Sequence, residues 1–270
     1  MSDRVAIVTG ASRGIGHATA IELARTGFAV ALLARSAPAL EETRLLVEAT
    51  GGTAVAVVAD VTDRGVVARA VEEIERDAGA IGLLVNNAGS MRAIGPLWEA
   101  DPEDWWSDVL TSLAGAYNCC GEVVPRMIDR GEGRIVNLTS YAGARPAPYQ
   151  SGYGCAKAAL NNLTESLAAE LGEQGLSVFG VAAGFTRTEM TDHLTSSEAG
   201  RRWLPDSGGG RIVDAEQTAR LIARLAGGGA DELSGRLLHT LDEVDVLLAG
   251  IDEIRRDDLY APRLRRLPGR

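Results

Sequence analysis

Cysteine, histidine and aromatic residues are all scarce in this chain of 270 residues. It has 3 cysteines and 3 histidines, and aromatic residues make up 4% of it. An odd number of cysteines, with Cys119 next to Cys120, argues against a disulfide framework, and the scattered histidines lack metal-ligand spacing. We therefore expect no metal site, and a reducing compartment such as the cytoplasm.

Long apolar runs and excess positive charge are also missing. No stretch approaches the roughly 18 apolar residues that suggest a membrane-spanning helix, and the opening MSDRVAIVTG lacks the features of a signal peptide. The formal net charge is −10, which gives no general attraction to nucleic acid or anionic lipid. We expect neither as a partner, and we interpret the basic APRLRRLPGR as a solvated tail.

Short apolar runs alternate with longer amphipathic stretches from residue 4 onward. Strands are predicted at 4–9, 28–34, 53–59, 82–89, 133–140, 176–183 and 235–241. Helices are predicted at 14–27, 38–50, 64–79, around 102–129, 151–173 and 214–226. Because apolar strands separated by helices indicate a parallel sheet covered on both faces, the predicted fold class is α/β. We expect a single-domain, doubly wound parallel sheet of about seven strands.

One domain is predicted over 1–242, with a helical extension of the same domain over 243–270. Residues 190–212 break the alternation and end near three glycines, so we predict a mobile substrate lid with a short helical piece. Substrate choice is expected to depend on this lid and on the loops at 90–98 and 141–150.

Three residues of the predicted lid have two interpretations. Met190, Trp203 and Leu204 fit an apolar lid over a substrate, and they fit core packing equally well.

The segment TGASRGIG, residues 9–16, lies between the first predicted strand and the first helix. Gly10, Gly14 and Gly16 let the backbone turn tightly and approach a ligand closely. The helix that follows offers free N–H groups and the positive end of its dipole to a pyrophosphate. The segment predicts a dinucleotide site, although a plain tight turn would use glycine similarly and the spacing differs from G-x-G-x-x-G.

The end of the second predicted strand, LLARS, favours one dinucleotide over the other. An NAD site places an acid there to hold the ribose 2′-hydroxyl, whereas this chain has Ala34 followed by Arg35. Arg13 adds a second cation on the same side, and a guanidinium matches the oxygens of a 2′-phosphate. We therefore expect NADP(H) to be favoured over NAD(H), with Asp60 accepting a hydrogen bond from the adenine amino group.

Tyr153 and Lys157 stand four residues apart on a predicted helix, and therefore on one face. A free phenol has a pKa of about 10, and a neighbouring ammonium with the positive nicotinamide of an oxidised cofactor lowers that pKa. Neither Tyr141 nor Tyr149 has a lysine four residues on, so Tyr153 is the predicted acid/base and Tyr149 a pocket wall. Ser140, at a strand end, is placed to donate to a substrate carbonyl oxygen. The alternative is that Tyr153 and Lys157 are only a pair on the protein surface.

Five motifs in this order resemble the short-chain dehydrogenase/reductase family. They are T-G-x-x-x-G-x-G at 9–16, N-N-A-G at 86–89, the strand-end Ser140, Tyr153-x-x-x-Lys157, and AAGFTRT at 182–188. The match covers 4–190, and the chain is identified as a member of the family. The resemblance implies a Rossmann-type fold and hydride transfer to or from a nicotinamide.

The resemblance also implies residue roles. Tyr153 would be the acid/base, Lys157 would lower its pKa and hold the ribose hydroxyls, and Ser140 would orient the substrate. Asn86 would line the cofactor cleft. The expected cofactor contacts are Gly10, Ser12, Arg13, Gly14, Ile15, Gly16, Arg35, Asp60, Val61, Asn87, Ala88, Gly89, Tyr153, Lys157, Gly184, Thr186 and Thr188.

Two positions depart from the family pattern. Where the family carries an asparagine that holds a water linking the lysine to solvent, TSLAG places Ser112. The proline of the usual P-G pair is Ala183, with Gly184 kept. Ser112 therefore enters the candidate catalytic set as a replacement whose part in the proton relay is open.

The leading interpretation is an NADP(H)-dependent carbonyl reductase or alcohol dehydrogenase for small or medium ketones and secondary alcohols. Two alternatives stay open: a nucleotide-binding regulator with weak turnover, which Ser112 favours, and an epimerase or dehydratase of the wider superfamily. By resemblance, the fourth and fifth helices are expected to build a homodimer or homotetramer.

Overall fold

A parallel sheet of seven strands runs through the protein, in a computed structural model that describes residues 4–207 and 211–264. The glycines at 208–210 of the predicted lid, the first three residues and the last six residues of the basic tail lie outside these ranges. The strands, including a separate short pair, are β1 (Val5–Thr9), β2 (Ala29–Ala34), β3 (Thr53–Val58), β4 (Ile81–Asn86), β5 (Gly133–Thr139), β6 (Leu176–Ala182), β7 (Phe185–Thr186), β8 (Ile212–Val213) and β9 (Leu237–His239).

The strand order of the large sheet is β3-β2-β1-β4-β5-β6-β9, and every neighbouring pair is parallel. Strands β7 and β8 form the separate pair. The predicted Rossmann-type α/β fold, a single doubly wound parallel sheet, is confirmed.

Helices connect the strands on both faces of the sheet. Within the described ranges they are α1 (Gly14–Arg25), α2 (Ala37–Ala49), α3 (Arg64–Ala78), α4 (Pro102–Val109), α5 (Gly115–Arg130), α6 (Ser151–Leu171), α7 (Glu189–Ser196), α8 (Glu198–Trp203), α9 (Ala215–Ala226), α10 (Val244–Ala249) and α11 (Ile251–Arg256). Searched over the same ranges, no helix has the length and apolar character to cross a bilayer.

Alternate residues of the inner strands β1, β2, β4, β5 and β6 enter two separate cores, because successive side chains point to opposite faces. Ala6 and Val8 of β1 pack with α1 and α9, whereas Val5 and Ile7 pack with α3 and α5. All five residues of β1 are buried. Burial on both faces explains why the strands carry unbroken apolar runs.

The long helix predicted around 102–129 is interrupted. Its first part, α4, passes into one turn of π-helix over Leu110–Ala114 before α5 begins at Gly115. A π-turn inserts one extra residue into the helical repeat and often marks a functional site. Amphipathic spacing on both sides remains helical, so periodicity alone could not reveal the inserted residue.

The predicted lid is more regular than its sequence indicated. Its described part contains α7 and α8, where one short helical piece was expected. Thr188 begins α7 because its hydroxyl accepts from the Thr191 N–H while the Thr191 hydroxyl accepts from the Thr188 N–H. The Ser197 hydroxyl accepts from the Gly200 N–H and begins α8.

The predicted C-terminal extension is also divided. It forms α10 and α11, which are separated at Gly250. Val244, Leu247 and Ile254 are buried against the core that contains α1 and α9.

Candidate active site

A cleft of about 1270 Å³ opens at the carboxyl ends of the strands. It lies where the strand order reverses between β1 and β4, the position at which open α/β sheets bind ligands. The predicted residues that line it are Gly10, Ser12, Arg13, Gly14, Ile15, Arg35, Asp60, Val61, Asn87, Ala88, Gly89, Ser140, Tyr153, Lys157, Gly184, Thr186 and Thr188. Gly16 and Ser112 lie outside the lining.

The glycine loop forms a tight cradle beside the amino end of α1. Gly10 and Gly14 have φ angles of +64° and +56°, which residues with a Cβ rarely adopt. A Cβ on Gly10 would stand 2.9 Å from Asn87 Nδ2, and one on Gly16 would stand 2.4 Å from both Asn87 Nδ2 and the Gly10 carbonyl oxygen. Because no side chain caps α1, its first N–H groups suit an anionic ligand such as a pyrophosphate.

The N-N-A-G segment holds this cradle in place. Asn87 Nδ2 donates to the carbonyls of Thr9 at 2.8 Å and Gly10 at 3.2 Å. The Thr9 hydroxyl accepts from the backbone N–H groups of Asn87 and Ala88, each at 3.0 Å. Two sequence-distant motifs are therefore joined by direct hydrogen bonds.

Asn86 has a different place from the one that the resemblance implies. It is buried, and its Nδ2 donates to Asn137 Oδ1 at 2.9 Å. Asn137 Nδ2 in turn donates to the Thr164 hydroxyl on α6 at 2.9 Å. Asn86 thus ties β4 to β5 and α6, and Asn87 takes the position in the cleft. An asparagine inside the apolar strand IVNLT was the available signal for Asn137.

Both predicted 2′-phosphate cations form ion pairs at the cleft. Arg13 pairs with Glu189, the first residue of α7, and Arg35 Nη1 lies 3.9 Å from Asp60 Oδ2. Asp60 Oδ1 accepts from the backbone N–H and hydroxyl of Thr62. These pairs are exposed, so they are weak and exchangeable for a ligand anion.

Ser140, Tyr153 and Lys157 converge from β5 and α6. Ser140 follows β5, and its Oγ accepts from the Ala142 N–H at 3.1 Å. Lys157 Nζ lies 5.5 Å from the centre of the Tyr153 ring and donates to the Leu138 carbonyl at 2.5 Å. The strand end and one face of one helix therefore bring the three predicted side chains together.

Burial dominates the pKa values of both titratable groups. It raises the pKa of Tyr153 above its usual value; a hydrogen bond with Ser140 opposes that shift, and the Asp108 charge adds to it. Burial also lowers the pKa of Lys157 to about 8. From the sequence we expected a lowered pKa for Tyr153, because the Lys157 ammonium and an oxidised nicotinamide are both positive. The protein groups alone raise the pKa of Tyr153, because burial outweighs the other effects.

Ser112 lies in the π-turn behind Gly89. A Cβ built on Gly89 would stand 3.4 Å from Ser112 Oγ and 3.7 Å from Lys157 Nζ, so both polar groups flank one glycine. Ser112 Oγ is buried, and no hydrogen-bond partner for it lies among residues 4–207 and 211–264. A hydroxyl in this position can bond a ligand or a water near the lysine.

Asp108 is a buried acid that sequence reasoning missed. It lies on α4, fully buried, and its carboxylate accepts from the Arg92 N–H at 2.8 and 3.0 Å and from the Ala93 N–H at 3.1 Å. It therefore anchors the loop that follows β4 beside the cleft. The available sequence signal was helical spacing, which places Asp108 on one face with Trp105 and Ser112. In the structure Trp105 is half-buried and Ser112 is buried.

Comparison with known proteins identifies the class of this nucleotide-binding fold. The family model described as short chain dehydrogenase matches residues 4–199. The gluconate 5-dehydrogenase of Gluconobacter oxydans (strain 621H) is 38% identical over 240 residues, which cover 88% of this chain and 93% of that protein. The 3-oxoacyl-[acyl-carrier-protein] reductase of Staphylococcus aureus (strain Mu50) is 37% identical over 238 residues, covering 87% and 95%.

Solved structures agree with this class. An NAD⁺-bound xylitol dehydrogenase has a TM-score of 0.80 at 30% identity and covers 88% of this chain and 97% of its own. An actinorhodin polyketide ketoreductase with NADPH has a TM-score of 0.79 at 29% identity, covering 87% and 95%. The chain belongs to the short-chain dehydrogenase family of oxidoreductases, whose fold binds a nicotinamide cofactor.

Proposed function

We propose that this protein is an NADP(H)-dependent oxidoreductase that interconverts a ketone and a secondary alcohol, with Tyr153 as the acid/base. The convergence of Ser140, Tyr153 and Lys157 in the cleft that also holds the glycine cradle carries this proposal. The dehydrogenase and reductase names of the relatives favour it over the regulator and the epimerase or dehydratase.

The chain's own residues supply positioning and a proton. A bound nicotinamide supplies the acceptor or donor of the hydride. In the reductive direction the Tyr153 hydroxyl gives its proton to the substrate oxygen, which the Ser140 hydroxyl holds by a hydrogen bond. The Lys157 ammonium beside the ring stabilises the resulting phenolate, and Ser112 behind Gly89 extends the polar route from Lys157.

The preference for NADP(H) follows from the end of β2. Ala34 leaves that strand end without an acid, and Arg35 lines the cleft beside it. Its loose ion pair with Asp60 leaves the guanidinium available to a 2′-phosphate. Arg13 offers a second cation from the glycine loop.

We also propose that copies of the chain associate through α4 and α5. Trp106, Leu110 and Tyr117 expose 57%, 47% and 58% of their surface along this part of the chain. Exposed large apolar side chains in succession are typical of an interface between proteins. Light scattering after size-exclusion chromatography should give a dimer or tetramer, and a monomer at micromolar concentration would contradict the proposal.

Tyr153→Phe tests the function directly. Removing one hydroxyl should lower kcat by about 100-fold or more, because the proton donor is lost. NADPH binding, followed by fluorescence, should change little. Tyr260→Phe, at a tyrosine outside both the cleft and the proposed interface, is the matched control and should keep normal turnover. A Tyr153→Phe enzyme with more than a tenth of the original kcat would refute the assigned role.

A further inference from the structure

A third apolar cluster lies apart from the two cores of the sheet. Met91, Ile94 and Leu194 are buried in it, and Phe185, Met190, Ala199 and Leu204 pack around them. The ring of Tyr153 packs against the same cluster. An apolar group of side chains therefore adjoins the proposed proton donor.

The side chains of this cluster pack against one another and also line the cleft. Met91, Phe185, Met190, Leu194 and Leu204 all line the cleft, and Phe185, Met190 and Leu204 are only half-buried. Core packing alone would bury these side chains on all sides. Of the two interpretations that the sequence left for Met190 and Leu204, the cleft wall is the one that the contacts support.

Asp108 fixes one side of this wall. It holds the N–H groups of the two residues that directly follow Met91, although burying a carboxylate carries a large desolvation cost. All three of its hydrogen bonds go to that backbone. Because the Asp108 carboxylate is spent on holding this backbone, we infer that the position of the loop after Met91 is important for the site.

Contacts between three loops fix the other side. The Gly95 N–H donates to the Tyr149 carbonyl at 2.8 Å, and the Tyr149 ring stacks on Trp203 with centroids 5.1 Å apart. Tyr149 holds a φ of +64°, an uncommon backbone conformation for a residue with a side chain. The three segments predicted to determine the substrate therefore meet beside the apolar cluster.

Most charged side chains of the cleft lie away from this cluster. Among the described lining residues, Arg13, Arg35, Glu42 and Asp60 belong to the glycine loop, the ends of β2 and β3, and α2. Glu189 precedes Met190 on α7, but it is ion-paired with Arg13. Besides Lys157, the remaining cation is Arg145, which is exposed. Pro146, Ala147 and Pro148 continue the apolar lining next to it. The hydroxyl groups of a polyhydroxylated substrate would stay unpaired wherever they lay against Met91, Met190 and Leu204.

We propose that the substrate is a ketone, or the matching secondary alcohol, whose carbonyl carries an extended apolar substituent seated on Met91, Met190 and Leu204. This inference rests on the proposed function, because it takes Tyr153 as the group that the carbonyl oxygen approaches. It assigns the apolar cluster to substrate selection and excludes sugar-like ketones as preferred substrates.

A homologous series of 2-alkanones, from 2-butanone to 2-nonanone, tests the inference with NADPH as cofactor. Each added methylene that enters the apolar wall should raise kcat/KM by about three- to fourfold until the wall is filled. In a second arm, 3-pentanone should be preferred over dihydroxyacetone, which has the same number of heavy atoms with two hydroxyl groups replacing methyl groups.

The outcomes separate this inference from the proposed function. Turnover without a rise along the series, or a preference for dihydroxyacetone, would overturn the apolar substrate and leave the oxidoreductase standing. Absence of turnover with every ketone, despite NADPH binding, would contradict the proposed function and this inference with it.

Variants locate the effect on the wall. Leu204→Asn and Met190→Asn should each reduce the ratio of kcat/KM between 2-nonanone and 2-butanone by about tenfold, because a polar amide replaces apolar contact. Val246→Asn, at a side chain 68% exposed on α10, is the control and should keep the original ratio. Melting curves show that each variant is folded, and an unchanged ratio in both wall variants would refute the assignment.

Discussion

The two halves of the cleft are built in different ways. The cofactor half consists of the glycine loop and the ends of β1, β2 and β4, and hydrogen bonds through Thr9 and Asn87 hold its backbone. The substrate half consists of the loop at 91–95, the loop at 145–150 and the pair α7 and α8, and apolar packing with an aromatic stack holds it. Under the proposed function, one half would hold the pyrophosphate of a constant ligand by backbone geometry, whereas the other would hold a variable ligand by side chains.

This difference has a consequence for mutation. In the cofactor half a Cβ on Gly10 or Gly16 would meet backbone atoms, which cannot move aside without disturbing the strands. In the substrate half the apolar cluster is built from side chains, which can repack, although Gly200 packs tightly against the Leu194 backbone. Substitutions at Gly10 and Gly16 should therefore act in an all-or-none way, whereas substitutions in the apolar cluster should change the second half gradually.

The strongest test of this contrast is Gly16→Ala. The added Cβ would meet the Gly10 carbonyl and Asn87 Nδ2 at 2.4 Å, so we expect the free energy of unfolding to fall by about 3 kcal/mol or more and NADPH binding to be lost. Gly121→Ala in α5, with open space at its Cβ, should be neutral or stabilising by up to about 1 kcal/mol. Urea unfolding measures the free energy of unfolding of both variants. Equal values would refute the tight packing at Gly16 that we assign to the cofactor half.

Lys157 lies where the halves meet, and its burial predicts a pH dependence of stability. Its pKa falls from 10.5 to about 8 in the folded chain, so between these values the unfolded chain binds more protons. The stability of the native protein relative to Lys157→Met should therefore rise from pH 8 to about pH 10.5, by up to about 3 kcal/mol. Below pH 8 the difference should be constant. A constant difference in unfolding free energy between the native protein and Lys157→Met across this pH range would contradict the lowered pKa of Lys157.

Asp108→Asn tests the fixed side of the substrate half. Replacing the charged acceptor should lower the free energy of unfolding by about 2 kcal/mol and raise KM for a long ketone, because the loop after Met91 loses its anchor. Loss of the negative charge should also lower the phenol pKa and move the pH profile of kcat to lower pH.

Two controls accompany the Asp108 variant. Glu103→Gln, at an exposed residue on the same helix, should change neither KM nor the pH profile. NADPH affinity should stay within about twofold in both variants, since the altered contacts lie in the other half of the cleft. Weakened NADPH binding in Asp108→Asn alone would show that the halves are not separable.

Arg35→Asp probes the cofactor half with the smallest expected effect. Replacing a charge-assisted partner of the 2′-phosphate should reduce kcat/KM for NADPH relative to NADH by about 10- to 100-fold. Arg69→Asp, at an exposed side chain on α3 outside the cleft, is a control of the same charge change and should leave the ratio unaltered. A ratio that Arg35→Asp does not move would refute the proposed cofactor preference.

Sequence patterns located most residues proposed for the cofactor, which line one cleft, but not the contacts that hold the substrate half together. The glycine loop and the pair Tyr153 and Lys157 are local, so spacing of one to seven residues reveals them. Gly95, Tyr149 and Trp203 are more than 50 residues apart from one another, and their contacts depend on tertiary packing. Asp108 was missed because a charged residue in an acidic helix reads as solvated.

Five of the seven strands were predicted to within one residue at each end because burial leaves a continuous apolar signal. By contrast, β4 ends three residues before its predicted end, and β9 is two residues shorter at each end. Element ends that depend on caps were less predictable. The threonine pair that begins α7 carries no hydrophobic period, so 190–212 was interpreted as a loop with one short helical piece. The π-turn at Leu110–Ala114 inserts a residue without changing the polarity of its neighbours.

The segment around Tyr260 covers the edge of the sheet at β9. The outward N–H of Leu237 on β9 donates to the Tyr260 carbonyl at 2.8 Å, and that of His239 donates to Asp242 at 2.7 Å. Arg236 secures the returning segment through Asp258. The donors that would recruit a foreign strand are thus already occupied, and this border of the sheet is protected against edge-to-edge aggregation. Copies of the chain are therefore not expected to extend the sheet at β9.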